Sequence, residues 1–431
     1  MLVFIENTPR DYAWGSRDAL AELLGTSPTG EPQAELWLGA HPGGPATVAK
    51  AVPGARTLID LIESDPERYG VDGAQLPFLL KVLAIGAPLS LQVHPDRAQA
   101  EAGFAAEEAA GVPRDARERN YGDPNHKPEL LVALSEVAAL SGFRPIADAR
   151  RELAALAEAA GGSAALHRAA ELCGARWADA GAAADGADRE RADRRAYVEW
   201  ALGGSDEAAR AVCEIAAAVQ APSAELGGRI DRERLSVLRR LTVAYPDDPG
   251  VLVSLLLHLV RLEPGQAIYL GARQLHAYLG GIAVEVMASS DNVLRAGFTE
   301  KYVDADEVLA VVDFSELDDP RFPERAVGPG LIEWAPGVPD FRLLRARLHD
   351  PAESESVPRG DDRAELVELA ADYPLVLIVT SGRVRVERPS AEFDEVASVA
   401  RGQSLYVSAG APIELSGRGE AFIATVGRAA A

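Results

Sequence analysis

Leu89-Ser90-Leu91-Gln92-Val93-His94-Pro95-Asp96 follows the apolar run Phe78-Leu79-Leu80-Lys81-Val82-Leu83-Ala84. Its polar groups, Ser90, Gln92 and His94, fall on every second position. A strand has a side-chain period of two, so these three point to one face and Leu89, Leu91 and Val93 to the other. Gln92 and His94 then stand roughly 7 Å apart at Cα, close enough to share one metal ion. Taken alone, the stretch reads as a half-exposed strand with a polar face, because short alternating patterns are common.

Three later stretches shift that balance. Asn125-His126-Lys127-Pro128-Glu129 puts a carboxylate where a strand begins, since proline confines its predecessor to extended geometry. Gln274-Leu275-His276-Ala277-Tyr278 puts a second imidazole on an apolar, glycine-flanked segment. Asp291-Asn292-Val293-Leu294-Arg295-Ala296-Gly297-Phe298 adds an acid and a guanidinium. Two earlier motifs join them, Tyr12-Ala13-Trp14-Gly15-Ser16 and Ala34-Glu35-Leu36-Trp37-Leu38-Gly39-Ala40-His41-Pro42. In this order they resemble the type I mannose-6-phosphate isomerase (phosphomannose isomerase) family of zinc-dependent cupin enzymes. The resemblance covers roughly the first 150 residues and 245–310.

Composition sets bounds that agree. The chain has 431 residues, 48% of them hydrophobic, enough for two or three domains with real cores. A net charge of −23 argues against nonspecific binding to nucleic acid or to an anionic membrane, so an anionic substrate needs a local cluster of positive charge. Cys173 and Cys213 form neither a metal-spaced cluster nor a disulfide framework, which points to a reducing compartment. The N-terminus lacks a basic segment and a cleavage signal, and no apolar stretch approaches a membrane span. A soluble, cytoplasmic protein is expected, and a monomer. Of 43 basic residues only Lys50, Lys81, Lys127 and Lys301 are lysines, and three of the four lie in the motif stretches. Lysine can shift its pKa and exchange protons where arginine in practice cannot, so the placement favours function.

The expected fold is mainly β with an α-helical insertion: two cupin (jelly-roll) β-barrels plus a helical domain. Short strands punctuated by glycine support the barrels. Residues 1–147 and 246–314 are read as the two parts of a catalytic cupin domain. Residues 148–240 are rich in Ala, Arg and Glu with apolar residues at helical spacing, giving a helical domain over 148–245. Within it, 181–191 reads as a low-complexity link, and His167 as a surface residue. The run 251–262 fits helix or strand, and the family comparison favours helix. Strands are expected at 266–270, 276–279, 282–287, 375–380 and 383–387. Gly265-Gln266-Ala267-Ile268-Tyr269-Leu270-Gly271-Ala272 resembles Gly402-Gln403-Ser404-Leu405-Tyr406-Val407-Ser408-Ala409, which sets His276 against Ile413. Residues 315–431 therefore read as a second cupin-like domain, without metal.

Gln92, His94, Glu129 and His276 together offer one amide oxygen, two imidazoles and one carboxylate. Such mixed ligation with open positions suits a catalytic Zn²⁺, although Fe²⁺ or Mn²⁺ would also accept it. The resemblance selects zinc, one ion per chain, and implies an aldose–ketose isomerase of carbohydrate metabolism that feeds GDP-mannose synthesis. Mannose 6-phosphate and fructose 6-phosphate would interconvert by ring opening and proton transfer between C2 and C1 through an enediol. The candidate bases are Lys127, Glu285, and Asp291 paired with Arg295. His126 is the candidate for ring opening, and Arg295 for stabilising the enediolate or gripping phosphate. Lys81 interrupts a buried strand, which is costly unless it is paired or bound to an anion. The resemblance makes it a phosphate anchor, with Ser90 and Lys301 as weaker ones. Trp14 and Tyr278 would line the sugar, and His41 is read as structural. The alternatives are a cupin metal-dependent oxygenase and a non-catalytic sugar-binding cupin. The segment before His276 reads Gly-Ala-Arg-Gln-Leu where Pro-Ala-Gly is more usual in the family, which puts the geometry of that turn in question.

Overall fold

The computed structural model describes residues 1–48, 56–173, 186–220, 226, 229–349, 363–390 and 394–427. Lys50 and the first part of the expected link at 181–191 lie outside them; the helix Gly186–Leu202 begins inside the rest of that link.

Among the described residues two ten-stranded sheets organise the chain. One is built around the long strand His276–Ala288. Its residues 281–288 pair with Phe78–Ile85, and 283–287 pair on the other side with Glu129–Ala133. Its first residues pair instead with Val137–Phe143 and, at His276, with Gln92 of Leu91–Val93. The change falls at Gly280-Gly281: the register shifts between Tyr278 and Gly280, and Gly281 takes φ 115°. A Cβ there would meet the Glu136 carbonyl oxygen at 2.4 Å. The two strands expected at 276–279 and 282–287 are therefore one strand with a bend. Those expected at 375–380 and 383–387 likewise merge into Leu375–Arg388, with Gly382 at φ 68° in the middle. Glycine lets a strand turn a corner without ending its ladder.

The other sheet is built around Gly410–Thr425, preceded by Ser404–Val407 as His276–Ala288 is preceded by Ala267–Leu270. The eight-residue repeat thus marks equivalent elements, and Ile413 lies in an apolar core with Leu415 and Val384. Leu2–Glu6 pairs with Ser404–Val407 and with Thr47–Val48, so part of the segment read as opening the first unit extends the C-terminal sheet. Among the described residues the pairings run as open, branched paths and close neither sheet into the barrel that was expected.

Among the described residues five helices, Ile146–Ala159, Ala164–Leu172, Gly186–Leu202, Asp206–Gln220 and Arg232–Ala244, belong to the insertion. Their apolar faces share one core with Leu91, Val93, Leu294 and Phe298, so the insertion backs the strand that carries Gln92. Gly250–Ser254 is helical, but 257–262 is a strand paired with Val137–Phe143, where a helix was favoured over 251–262. A continuous apolar run satisfies either structure, and the free sheet edge decides it. Both cysteines are free. Among the described residues no helix is long and apolar enough to cross a membrane.

Candidate metal centre and active site

The alternation from which the fold was read is present. Leu91 and Val93 are fully buried in the core shared with the helices, while Gln92 faces a cavity of about 560 Å³. Leu89 departs from the pattern: it precedes the strand and lines the cavity. His94, one residue past the strand, is fully buried. Glu129 begins its strand as expected, and His276 begins the long bent one.

These elements bring His94, Glu129 and His276 together. One donor atom from each lies within 4.8 Å of the others. His94 Nε2 is 3.4 Å from Glu129 Oε1, and His276 Nε2 is 3.5 Å from Oε2. Both Nε2 atoms and Glu129 Oε2 are buried without a hydrogen-bond partner. Native proteins rarely leave such atoms unsatisfied, and three converging ones mark a metal site. The other ring nitrogens fix the tautomers. His94 Nδ1 meets the Asn292 carbonyl at 2.7 Å and His276 Nδ1 the Gln274 carbonyl at 3.0 Å, so each Nδ1 donates and each Nε2 offers a lone pair. Burial, aided by the Lys127 charge, pushes His94 down to about 4 and keeps it neutral. Burial works against the Glu129 charge, but the Lys127 charge overcomes it and holds the carboxyl well below the usual range. Lys127 Nζ donates to Glu129 Oε1 at 2.7 Å. Gln92 lies opposite both His276 and Arg295 in register, which puts all three on one face of the sheet.

A second buried group lies in the same cavity. Lys81 is directly opposite Glu285 on the neighbouring strand, with Nζ 3.4 Å from Glu285 Oε2 and 3.9 Å from Glu35 Oε2. Burial pulls Lys81 down, but the Glu35, Glu285 and Glu129 charges outweigh it and raise its pKa. Burial, reinforced by Glu129, raises Glu285 to about 7, against the pull of Lys81 and Lys127. Tyr278 donates its hydroxyl to Glu285 Oε1 at 2.9 Å. Trp14 and Trp37 line the cavity, and Lys81 Nζ lies 5.0 Å from the Trp37 ring centre.

Ser90, Asp291, Arg295 and Lys301 complete the expected residues in the cavity lining. Asp291 and Arg295 do not form the expected pair: Asp291 Oδ1 faces His41 Nε2 at 3.5 Å. Arg295 and Lys301 have no acid partner among the described residues. Burial lowers Arg295; burial and the Arg295 charge lower Lys301. His126 lies elsewhere. Its Nε2 is 2.8 Å from Asp340 Oδ2, joining the Lys127 segment to the C-terminal region. The unusual turn before His276 is real: Arg273 takes φ 69°, and its N–H donates to the His94 carbonyl at 2.7 Å.

Two contributors escaped sequence reading. Glu35 was visible as an acid in an apolar strand, and pairing it with the lone lysine of another apolar strand would have found it. Asn292 is fully buried; its carbonyl orients His94, and its side-chain oxygen and nitrogen tie down Gly122, Asp123 and Asn125. No local pattern marks that task.

Comparison with known proteins agrees with this geometry. The family model of the catalytic domain of type I phosphomannose isomerases matches residues 2–146. Mannose-6-phosphate isomerase of Escherichia coli (strain K12) is 37% identical over 380 residues, covering 86% of this chain and 89% of that one. The Schizosaccharomyces pombe mannose-6-phosphate isomerase is 29% identical over 431 residues, with 96% of each covered. A crystal structure of zinc-bound mannose 6-phosphate isomerase superposes with a TM-score of 0.80 at 32% identity over 99% of both chains. With similarity of this extent along nearly its whole length, the chain belongs to the type I mannose-6-phosphate isomerase family.

Proposed function

We propose that the protein is a monomeric, zinc-dependent isomerase with one ion per chain, interconverting mannose 6-phosphate and fructose 6-phosphate through an enediol. The observation that carries this reading is the convergence of three orphaned donor atoms, one of them on Glu129 of the cavity wall, beside two cations of that cavity that have no acid partner among the described residues. His94, Glu129 and His276 would hold the metal, with Gln92 as the fourth ligand. The two long bent strands support a pair of cupin-like units, of which the first carries the ligands. The chemistry a bound zinc ion supplies is Lewis-acid polarisation of the sugar oxygens at C1 and C2.

The remaining work falls to the chain's own groups. Glu285, a buried carboxyl raised towards neutrality, is suited to take the C2 proton and return it at C1. Lys81 and Tyr278 hold its two oxygens. Lys127 keeps Glu129 ionised and aimed. Trp14 walls the sugar. For the phosphate we favour Arg295 and Lys301, with Ser90, over Lys81. A phosphate at Lys81 would have to approach Glu35 and Glu285, whereas Arg295 and Lys301 repel one another until an anion lies between them.

The direct test is the isomerase assay before and after chelation. Activity should disappear with the metal and return with stoichiometric zinc; full activity in metal-free protein would refute the reading. Lys301→Met should raise KM for mannose 6-phosphate by about tenfold or more, the size of a lost hydrogen bond to a charged group. Its zinc content and kcat should hold. If Lys81→Met raises KM instead and Lys301→Met does not, the phosphate lies at Lys81.

A further inference from the structure

The wall that carries Lys301 depends on a strained turn at 297–299. Gly297 has φ 145°, and Phe298, a buried aromatic, has φ 55°. A bulky side chain takes that conformation only where its surroundings enforce it. The enforcing group is Asp248, which follows the last helix of the insertion. Its Oδ1 accepts the Gly250 N–H at 2.7 Å and its Oδ2 the Thr299 N–H at 3.4 Å. Burial raises this carboxyl, while the backbone N–H groups of Phe298, Gly250 and Thr299 all favour its charged form. The two backbones touch: a Cβ on Gly297 would lie 2.6 Å from Gly250 Cα and 2.7 Å from Asp248 Oδ1. Tyr245 closes the contact, with its ring 5.4 Å from that of Phe298 and its hydroxyl donating to the Pro88 carbonyl at 2.7 Å. Beyond the turn, Thr299 Oγ1 accepts the Lys301 N–H at 3.0 Å, and both side chains line the cavity.

We infer that Asp248 is a positioning residue for recognition of the sugar phosphate. Its carboxylate holds Phe298 in the left-handed form and thereby sets Lys301 beside Arg295. The link that leads from the helical insertion back to the sheets thus has a part in substrate recognition although none of the metal ligands lies in it. The inference rests on the reading that Arg295 and Lys301 hold the phosphate. A carboxylate facing three backbone N–H groups can order a turn that a neutral side chain, with a single acceptor oxygen, cannot.

The test uses the zinc-loaded, full-length protein. Asp248→Asn should raise KM for mannose 6-phosphate and the inhibition constant of inorganic phosphate by about tenfold, the cost of a hydrogen bond to a charged group. Its kcat should change far less, and its zinc content should stay the same. In an Asp248→Asn/Lys301→Met double variant the losses should not add, because both act through one contact. Asp248→Glu, which keeps the charge, should fall between. If Lys301→Met leaves KM unchanged, the phosphate reading itself fails, whatever Asp248 does. If Lys301→Met raises KM and Asp248→Asn does not, or the two losses add, the role of Asp248 is overturned. Loss of soluble protein in both Asp248 variants would place the residue in the fold and overturn it as well.

Discussion

His276→Ala should lose zinc and isomerase activity together while the chain stays folded. His276 Nε2 is one of the cluster's three buried atoms without a protein partner, so its removal opens the metal site without breaking a hydrogen bond of that nitrogen. The loss of metal affinity should exceed the roughly 10–100-fold typical of losing an outer-shell partner, because a direct ligand is removed. Folding should survive because the metal-free site is already balanced. Glu129 keeps its ion pair with Lys127 at 2.7 Å, and burial holds His94 neutral. A buried carboxylate stripped of every partner would be another matter. The checks are elemental analysis, the isomerase assay, and melting temperature with and without zinc. Zinc should raise the melting point of the parent protein, since a ligand that binds only the folded state stabilises it. The variant's melting point should not respond. A variant that retains stoichiometric zinc and turnover would remove His276 from the ligand set.

The same residues show how far local sequence reaches. The period-two pattern around Gln92 and His94 was legible because a strand's two faces are written in alternate residues. Glu129 was legible because Pro128 fixes where its strand begins. The joining of strands across Gly280-Gly281 was not, because glycine permits either a turn or a bend and the ladder beside it chooses. Nor was the partner of Leu2–Glu6 on the far edge of the C-terminal sheet, a pairing about four hundred residues away in sequence. Lys81 was recognised as an anomaly, but its answer lay in register: Glu285 stands directly opposite on the next strand. His126 shows the reverse error. Its place beside Lys127 suggested chemistry, yet its ring turns to Asp340, a residue that no local motif connects to it. His126 lies in the irregular segment before the strand Glu129–Ala133, where no period fixes the direction of a side chain, so adjacency to Lys127 says nothing of which way its ring turns.

Glu285→Gln should cost the most in the chemical step. The substitution keeps shape and burial but removes the carboxylate that we assign to C2–C1 proton transfer. General acid–base groups typically contribute about 10²–10⁴-fold, and a loss in kcat of that order is expected. Zinc should remain, because Glu285 lies outside the ligand cluster. The fold should tolerate the change, because Lys81 keeps Glu35 at 3.9 Å and so is not left with an unpaired buried charge. The pH profile gives an independent reading. A base works in its charged form, so the rate should fall as pH drops through the Glu285 pKa. Burial and Glu129 raise that value to about 7 in the metal-free site. A nearby divalent cation favours the carboxylate, so in the zinc-loaded enzyme the break should lie below 7. In Glu285→Gln this acidic limb should vanish along with most of the turnover. Exchange of the C2 hydrogen with solvent should slow in parallel with isomerisation, since both need the same proton acceptor. If the variant keeps kcat within a few-fold and retains the parent's acidic limb, the proton passes through another group. Lys127, 2.7 Å from Glu129 and lining the same cavity, would then be the residue to replace next.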